Sequence, residues 1–200
     1  MHLIELSALT ASSPCAVCLG TFDGVHLGHQ ALLHATADIA HEKGLLPCAY
    51  TFDVPPAAVL GKSHTAVLTK MEEKAALMAA CGVDTIIYSR FDRNVAAQSA
   101  EDFFNDLLLR QLNAHHVIIG FHYHFGCMAR GDAALMRSFC ERAGIGLTVV
   151  PPVRLADGTL VSSTSIRDCL ASGNRRGAEE MLNRPLSVRE EALLGGREHE

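Results

Sequence analysis

The segment "CLGTFDGVHLGHQALL", residues 18–33, contains the pattern from which we predict the fold. It begins in an apolar run typical of a buried strand, passes through a glycine-containing turn, and enters a helical pattern near His26. The first turn of a helix carries unpaired backbone N–H groups and the positive end of the helix dipole, which together attract anions. We therefore predict a phosphate site at this helix start, with His26 and His29 on one helical face as hydrogen-bond donors.

The same alternation of strand and helix continues along the chain. Apolar runs suited to strands buried on both faces occur at residues 15–22, 46–52, 83–88, 115–120 and 145–151. Candidate helices lie between them, at residues 27–43, 70–81, 99–113 and 131–143. The pattern predicts an α/β domain with a parallel sheet of about five strands and helices on both faces.

Composition limits the function classes. With 200 residues, 48% of them hydrophobic, the chain is long enough for one domain with a sizeable core. A net charge of −5 and the lack of a Lys/Arg cluster argue against a nucleic-acid partner. No apolar run approaches the roughly 18 residues that span a bilayer, and the N-terminus lacks the pattern of a signal peptide, so we expect a cytoplasmic protein without a membrane partner.

The seven cysteines are expected to be reduced thiols, because their number is odd and no export signal is recognised. Cys15 and Cys18 form a C-x-x-C pattern, but they lie on a predicted strand, where positions three apart point to opposite faces. We expect both to be buried as small hydrophobic residues rather than to share a metal.

A second polar cluster occurs in "VSSTSIRDCL", residues 161–170. Ser162, Ser163, Thr164 and Arg167 place three hydroxyls and a guanidinium at a probable helix start, where they could hold a polyphosphate through charge-assisted hydrogen bonds. The alternative is an ordinary Ser/Thr N-cap with an arginine that faces solvent.

Two loops interrupt the alternation, at residues 53–67 and 121–132. Each follows an apolar strand, and loops at the carboxyl ends of parallel strands bind ligands in open α/β sheets. His122, His124 and Cys127 in the second loop allow a metal interpretation, and the alternatives are a histidine beside a phosphate or a solvated loop histidine. A metal site at His26 and His29 lacks an obvious third ligand.

These motifs together resemble one family. "GTFDGVHLGHQ" (20–30) resembles the G-x-F-D-G-V-H-x-G-H signature of bacterial FAD synthetases, within the H-x-G-H nucleotidyltransferase superfamily, and "SSTSIR" (162–167) is similar to their S-S-T-x-I-R motif. Residues 90–120 and 173–187 resemble the same family in order and spacing, so the resemblance covers nearly all of residues 15–187. It implies a Rossmann-like nucleotidyltransferase domain at residues 1–187. Residues 188–200 are charged and lack core periodicity, so we expect a loose tail there. In the family a riboflavin kinase domain begins at this point, and the chain is either a fragment or a shortened gene product.

The implied reaction transfers AMP from ATP to FMN, giving FAD and pyrophosphate, with Mg²⁺ accompanying ATP and no metal site formed by protein residues. By this resemblance the catalytic residues are His26, His29 and Arg167. The implied ATP-binding residues are Gly20, Thr21, Phe22, Asp23, His26, Gly28, His29, Ser162, Ser163, Thr164 and Arg167. The implied FMN-binding residues are Asp53, Pro56, His122, Phe125, Gly126 and Arg130.

Two departures from the family pattern affect the acceptor side. The family's T-F-E-P-H-P appears here as "TFDVPP" (51–56), with Val54 and Pro55 in place of proline and histidine, and His122 replaces the acid of G-x-D-F-x-F-G. Two alternatives therefore stay open: transfer to a different phosphorylated acceptor, and a non-catalytic flavin- or nucleotide-binding protein. A separate riboflavin kinase is one source of FMN that the sequence leaves open.

Overall fold

Six parallel strands form one sheet in the computed structural model, which describes residues 1–10, 13–59, 66–83 and 85–196. The strands are β1 (His2–Glu5), β2 (Cys15–Leu19), β3 (Leu46–Phe52), β4 (Thr85–Ser89), β5 (Ala114–Gly120) and β6 (Gly146–Val150). Their order across the sheet is β1-β4-β3-β2-β5-β6. The predicted α/β class with a parallel sheet is confirmed.

Helices connect the strands and cover both faces of the sheet. They are α1 (Leu27–Lys43), α2 (Pro56–Val59), α3 (Met71–Ala80), α4 (Arg93–Ala97), α5 (Ala100–Asp102), α6 (Ala133–Ala143), α7 (Ser163–Ala171), α8 (Arg175–Leu182) and α9 (Val188–Glu191). Short 3-10 turns occupy Leu6–Ala8, Cys127–Ala129 and Leu194–Gly196. Within the described ranges, no helix combines the length and the apolar character needed to cross a membrane.

The central strand β2 is buried along its whole length and contributes side chains to two separate cores. Cys15 packs on one face with the segment that follows α5 and with α6, whereas Cys18 packs on the other face with α1 and α3. The expected opposite orientation of these two cysteines is therefore confirmed. All seven cysteines of the chain are free thiols.

Two predicted elements differ from the structure. The sheet gains a sixth strand, because His2–Glu5 pairs in parallel with β4 at the edge of the sheet. The helix predicted at residues 99–113 starts as α5 and continues as a π-helix over Phe103–Gln111, in which the Leu112 N–H donates to the Leu107 carbonyl at 2.9 Å. The wider turn buries an apolar stripe of Phe103, Phe104, Leu107 and Leu108.

Residues 188–196, which we expected to belong to a loose tail, include helix α9 and a 3-10 turn, and residues 197–200 of that expected tail lie outside the described residues. Helix α9 begins with a capping box in which Ser187 and Glu190 exchange hydrogen bonds. Glu190 is fully buried and accepts two hydrogen bonds of 2.7 Å from the Arg184 guanidinium. The charged composition of this segment suggested that its side chains are solvated. The Glu190 carboxylate can instead be buried because Arg184, six residues earlier, pairs with it.

The sheet topology places a crevice between β2 and β5. From β2 the chain extends the sheet through β3 and β4 on one side, and then crosses to β5 and β6 on the other side. The loops at the carboxyl ends of β2 and β5 therefore diverge, and open α/β sheets bind ligands at this position.

Candidate functional site

A cavity of about 370 Å³ lies at the carboxyl ends of β2, β3, β5 and β6. Its wall includes the loop after β2, the start of α1, and the residues that follow β5 and β6. The topology therefore brings together the two motifs that the sequence places at residues 20–30 and 162–167, because Ser162 also lines this cavity.

The histidine loop, residues 20–26, ends at the N-cap of α1. His26 is the N-cap residue, and its Nδ1 accepts a hydrogen bond of 3.3 Å from the His29 backbone N–H. The two imidazole rings stack with their centroids 3.7 Å apart and their planes inclined by 17°. Because Nδ1 of His26 is an acceptor, we assign the proton of the neutral ring to Nε2, which leaves Nε2 as a donor.

Glycine at position 28 leaves room for this arrangement of rings. A Cβ atom at Gly28 would lie 3.1 Å from Cε1 and 3.2 Å from Nδ1 of His26. Gly28 therefore allows the His26 ring to fold back over the first turn of α1 and cap it.

Both histidines are neutral at neutral pH. Burial lowers the pKa of His26 to about 4, and the nearby Arg167 cation acts in the same direction. Burial, His26 and Lys74 together hold the pKa of His29 well below its usual value of 6.5. Nδ1 of His29 is buried and has no hydrogen-bond partner in the described part of the chain. An incoming phosphate would raise both pKa values, because a negative charge favours the protonated ring.

The histidine loop is strained, and the surrounding elements hold it in place. Phe22 and Val25 adopt positive φ angles of 50° and 43°, which are unfavourable for residues with a side chain. The Asp23 carboxylate, which is 2% exposed, accepts hydrogen bonds from the backbone N–H groups of Leu68 at 2.9 Å and Thr69 at 3.1 Å. These bonds connect the loop to the segment that precedes α3.

Helix α7 holds the same loop from the other side. The Arg167 guanidinium forms an ion pair with the Asp23 carboxylate, and its Nε donates to the Ala66 carbonyl at 2.8 Å. The Ser163 hydroxyl donates to the Asp23 carbonyl at 2.8 Å. Asp23, Ser163 and Arg167 thus support the loop behind the cavity wall.

A second cavity, of about 500 Å³, adjoins the first and shares Phe52, Pro56, Tyr123 and His124 with it. Aromatic rings dominate its wall: Phe52 and Phe91 meet edge to face with centroids 5.0 Å apart, and Phe103 and Phe125 lie 5.4 Å apart. Such a surface suits a flat, apolar ligand portion.

The predicted ATP-binding residues divide into two groups. Those that line the first cavity are Gly20, Thr21, His26, Gly28, His29 and Ser162. Those outside its wall are Phe22, Asp23, Ser163, Thr164 and Arg167. Phe22 is fully buried with its ring centroid 5.2 Å from that of His29, whereas Thr164 is exposed. Ser162 is the N-cap of α7, as the ordinary interpretation predicted, but Arg167 is paired rather than facing solvent.

The predicted FMN-binding residues are more dispersed. Pro56 lines both cavities, His122 lines the first, and Phe125 and Gly126 line the second. Asp53 lies outside both walls, where its carboxylate accepts from the N–H groups of Val54 at 2.7 Å and Phe91 at 3.2 Å. Arg130 is exposed and outside both walls as well.

Several cavity residues escaped the sequence prediction. Tyr50, Tyr123 and the Pro151–Pro152 pair line the first cavity, and buried Lys74 lies beneath the histidine loop. Tyr50 lies near the end of β3, and the proline pair directly follows β6. Their position at strand ends could have indicated that they line the site, but they belong to no recognised motif. In the described ranges, no three His, Cys, Asp or Glu residues gather as a metal site.

A helix N-terminus suited to phosphate, at the switch point of a parallel sheet and next to an aromatic cavity, is an arrangement typical of nucleotide-binding α/β proteins. Residues 9–165 match the family model described as FAD synthetase. The chain belongs to the FAD synthetase family.

Known relatives agree with this assignment. The chain is 33% identical over 175 residues to the "Bifunctional riboflavin kinase/FMN adenylyltransferase" of Escherichia coli (strain K12), which covers 87% of this chain and 56% of that protein. A relative from Geobacillus thermodenitrificans (strain NG80-2) is 34% identical over 171 residues, covering 86% of this chain and 90% of that protein. The chain thus spans little more than half the length of the first relative.

A solved structure gives the same fold. The "Macrolide-efflux Protein from Streptococcus pneumoniae" superimposes with a TM-score of 0.82 at 27% identity, covering 93% of this chain and 63% of that one.

Proposed function

We propose that the chain transfers the AMP group of ATP to the phosphate of FMN, producing FAD and pyrophosphate. The observation that carries this proposal is the pair of adjoining cavities, one with two stacked histidines at a helix N-terminus and one with an aromatic wall. Membership of the FAD synthetase family supports the same reaction.

The chemistry requires alignment more than a protein nucleophile. A phosphate oxygen of FMN attacks the α-phosphorus of ATP, a new P–O bond forms, and the bond to the β-phosphate oxygen breaks with pyrophosphate as the leaving group. Such a transfer is accelerated by holding the reactants in line and by stabilising the charge that develops on the phosphoryl oxygens. Nε2 of His26, the ring of His29 and the first-turn N–H groups of α1 are the proposed donors to the ATP phosphates. Ser162 is a further proposed contact, and Arg167 and Asp23 act by holding the histidine loop.

Mg²⁺ enters this proposal as part of the MgATP substrate. Mg²⁺ commonly keeps several waters and binds phosphate oxygens with only one or two carboxylates. The Asp23 carboxylate, the acid within the histidine loop, is already engaged by Arg167 and two backbone N–H groups. The substrate phosphates and water are therefore the proposed main ligands of the ion.

FMN is proposed to place its flat ring against the aromatic wall of the second cavity and its phosphate toward the first. Pro56 and His124 line both cavities and mark the passage between them. Residues 1–187 are the proposed adenylyltransferase domain, and a riboflavin kinase activity is the proposed source of FMN. We place the reaction in the cytoplasm, where ATP is abundant, with no nucleic acid or membrane partner.

The test is chromatographic detection of FAD from ATP, FMN and Mg²⁺. The parent should form FAD, and the His26→Ala/His29→Ala double variant should be slower by roughly 100-fold or more, because removal of preorganised donors costs that much. His34 and His41 are exposed on the same helix, so the His34→Ala/His41→Ala variant is the matched control and should keep the parent rate. Failure of the parent to form FAD would refute the proposal. FMN binding without turnover would point instead to a non-catalytic binder.

A second candidate is transfer to a different phosphorylated acceptor, because His122 occupies a cavity position where the family pattern has an acid. Pyrophosphate release from ATP with a panel of phosphomonoesters distinguishes the two. Release with another acceptor, while FMN stays inert, would favour the second candidate.

A further inference from the structure

Lys74 is a buried cation that neither sequence motif includes. It lies on the inner face of α3 with Ala75 and Met78 and is only 2% exposed. Its Nζ donates hydrogen bonds to the carbonyl oxygen of Thr21 at 2.9 Å and to that of Phe52 at 3.2 Å. Lysine is almost never buried to this extent without a specific reason, because removing its charge from water costs free energy.

The two carbonyls lie where the two segments that carry the proposed reactants begin. Thr21 is the second residue of the histidine loop and immediately precedes the strained Phe22. Phe52 ends β3 and precedes residues 53–56, which include Pro56 in the wall of both cavities. β2 and β3 are neighbours in the sheet, and Lys74 links the two chain segments just beyond the point where their backbone pairing stops.

Two carboxylates and a histidine interact electrostatically with Lys74. Burial lowers the pKa of Lys74, and the carboxylates of Asp23 and Asp53 oppose this effect. The Lys74 charge also lowers the pKa of His29, whose ring stacks on that of His26. The contacts that hold the ammonium group are thus the carbonyls of Thr21 and Phe52, and its charge acts on a histidine that lines the cavity.

We propose that Lys74 is a positioning residue for the transfer reaction: its single Nζ fixes the spacing between the histidine loop and the loop that follows β3. This inference rests on the proposed function. In-line attack requires the reacting atoms to approach within about 3–3.5 Å, and a displacement of about 1 Å can cost 100-fold in rate. The Lys74 Nζ donates to a carbonyl at the start of the proposed ATP-binding segment and to one at the start of the proposed FMN-binding segment. It thereby sets the distance between the two segments without contacting either substrate.

If Lys74 has a positioning role, replacing it should lower the activity while the stability of the fold changes little. Methionine has a similar length, and it removes the cost of keeping the lysine charge out of water, which offsets the loss of two hydrogen bonds to backbone carbonyls. In Lys74→Met, the Thr21 carbonyl keeps a hydrogen bond of 3.1 Å from the Thr51 hydroxyl, and Asp23 keeps its bonds to Leu68 and Thr69. The fold should therefore survive while the two loops lose their common donor.

The experiment compares Lys74→Met and Lys74→Arg with Lys70→Met, which removes the same charge from an exposed position at the start of the same helix. Thermal melts monitor folding, and FAD formation gives kcat and KM. We expect Lys74→Met to melt near the parent temperature and to lower kcat roughly 10- to 100-fold with a smaller change in the KM for ATP. Lys74→Arg, which restores the cation and its donors, should recover part of the rate, and Lys70→Met should match the parent.

Two outcomes overturn the proposal. One is a kcat of Lys74→Met equal to that of Lys70→Met. The other is a Lys74→Met protein that is unfolded where the parent is folded, because Lys74 would then be a structural residue only.

Two measurements on the unliganded protein keep this inference separate from the proposed reaction. Loss of the Lys74 cation should raise the pKa of His29, so the imidazole NMR signals of His29 should titrate at higher pH in Lys74→Met. The Val25 amide, which donates to the Phe22 carbonyl at 3.2 Å, should exchange with solvent faster. If the parent makes no FAD, the reaction proposal fails, and an unchanged titration and exchange rate would additionally refute the role of Lys74.

Discussion

The buried N-cap histidine should make the stability of this protein depend on pH. His26 has a pKa of about 4 in the fold, against 6.5 for an unperturbed histidine. The folded-state pKa is the lower one, so as the pH falls the unfolded chain takes up this proton first. The stabilising contribution of neutral His26 is complete above about pH 6.5, declines between about pH 6.5 and pH 4, and is lost below that range.

The size of the effect follows from the difference between the two pKa values. Each pKa unit corresponds to about 1.36 kcal/mol, so protonation of His26 should remove roughly 3 kcal/mol of unfolding free energy between neutral pH and about pH 4. Replacing His26 by asparagine removes the titrating group but keeps an oxygen that can accept from the His29 backbone N–H, because asparagine is a favoured N-cap residue. His26→Asn should thus resemble the parent at neutral pH and lose less stability in acid.

Urea denaturation followed by circular dichroism at neutral pH and near pH 4 measures this difference. Other acid-sensitive groups, including His29, contribute to both proteins, so the quantity of interest is the difference between the two acid losses. We expect the loss in His26→Asn to be smaller by roughly 3 kcal/mol. His34→Gln, at an exposed position of α1, should keep the full acid loss of the parent. Equal losses in His26→Asn and the parent would refute the burial argument.

Two further predictions concern the supports of the site. Arg184→Met leaves the fully buried Glu190 carboxylate without its partner and should cost about 3 kcal/mol or more in unfolding free energy. Arg175→Met, at an exposed ion pair, should cost under about 1 kcal/mol in the same denaturation series, and equal costs would contradict the reasoning. In Gly28→Ala, the added Cβ would approach the His26 ring to 3.1 Å, so FAD formation should fall roughly 10-fold. Its melting temperature should change little, since alanine's helix propensity offsets the lost cap, and an unchanged rate would show that the ring position is unimportant.

Much of the fold could be predicted because its strands are buried on both faces. Such strands form uninterrupted apolar runs, and the run at residues 46–52 coincides with the observed β3. β1 has no such signature, because it is an edge strand of four residues whose two ends are exposed. The π-helix at Phe103–Gln111 has an apolar stripe that an α-helix would share, so periodicity detected the helix but not its wider turn.

The candidate site was predictable to the level of which loops meet. His26, His29 and Ser162 could be placed together, because strand ends at one edge of a parallel sheet converge. The sequence could not tell which polar residues face the cavity and which support it. Arg167 and Asp23 are 144 positions apart, and their pairing depends on how α7 packs against the histidine loop.

The difference between residues that line the cavity and residues that support the histidine loop affects how losses of activity in variants should be interpreted. The motif residues His26 and Arg167 are both candidates for catalysis by sequence, but His26 lines the cavity and Arg167 is bonded to Asp23 and Ala66 behind it. Phe22 and Val25 keep positive φ angles only while such contacts hold the loop, so loss of a supporting contact allows the loop to relax. A supporting residue should therefore lower turnover together with the hydrogen-exchange protection of the loop, whereas a cavity residue should lower turnover alone. Lys74 donates to the Thr21 carbonyl of the histidine loop, so its variants should behave like those of a supporting residue. Its charge also lowers the pKa of His29.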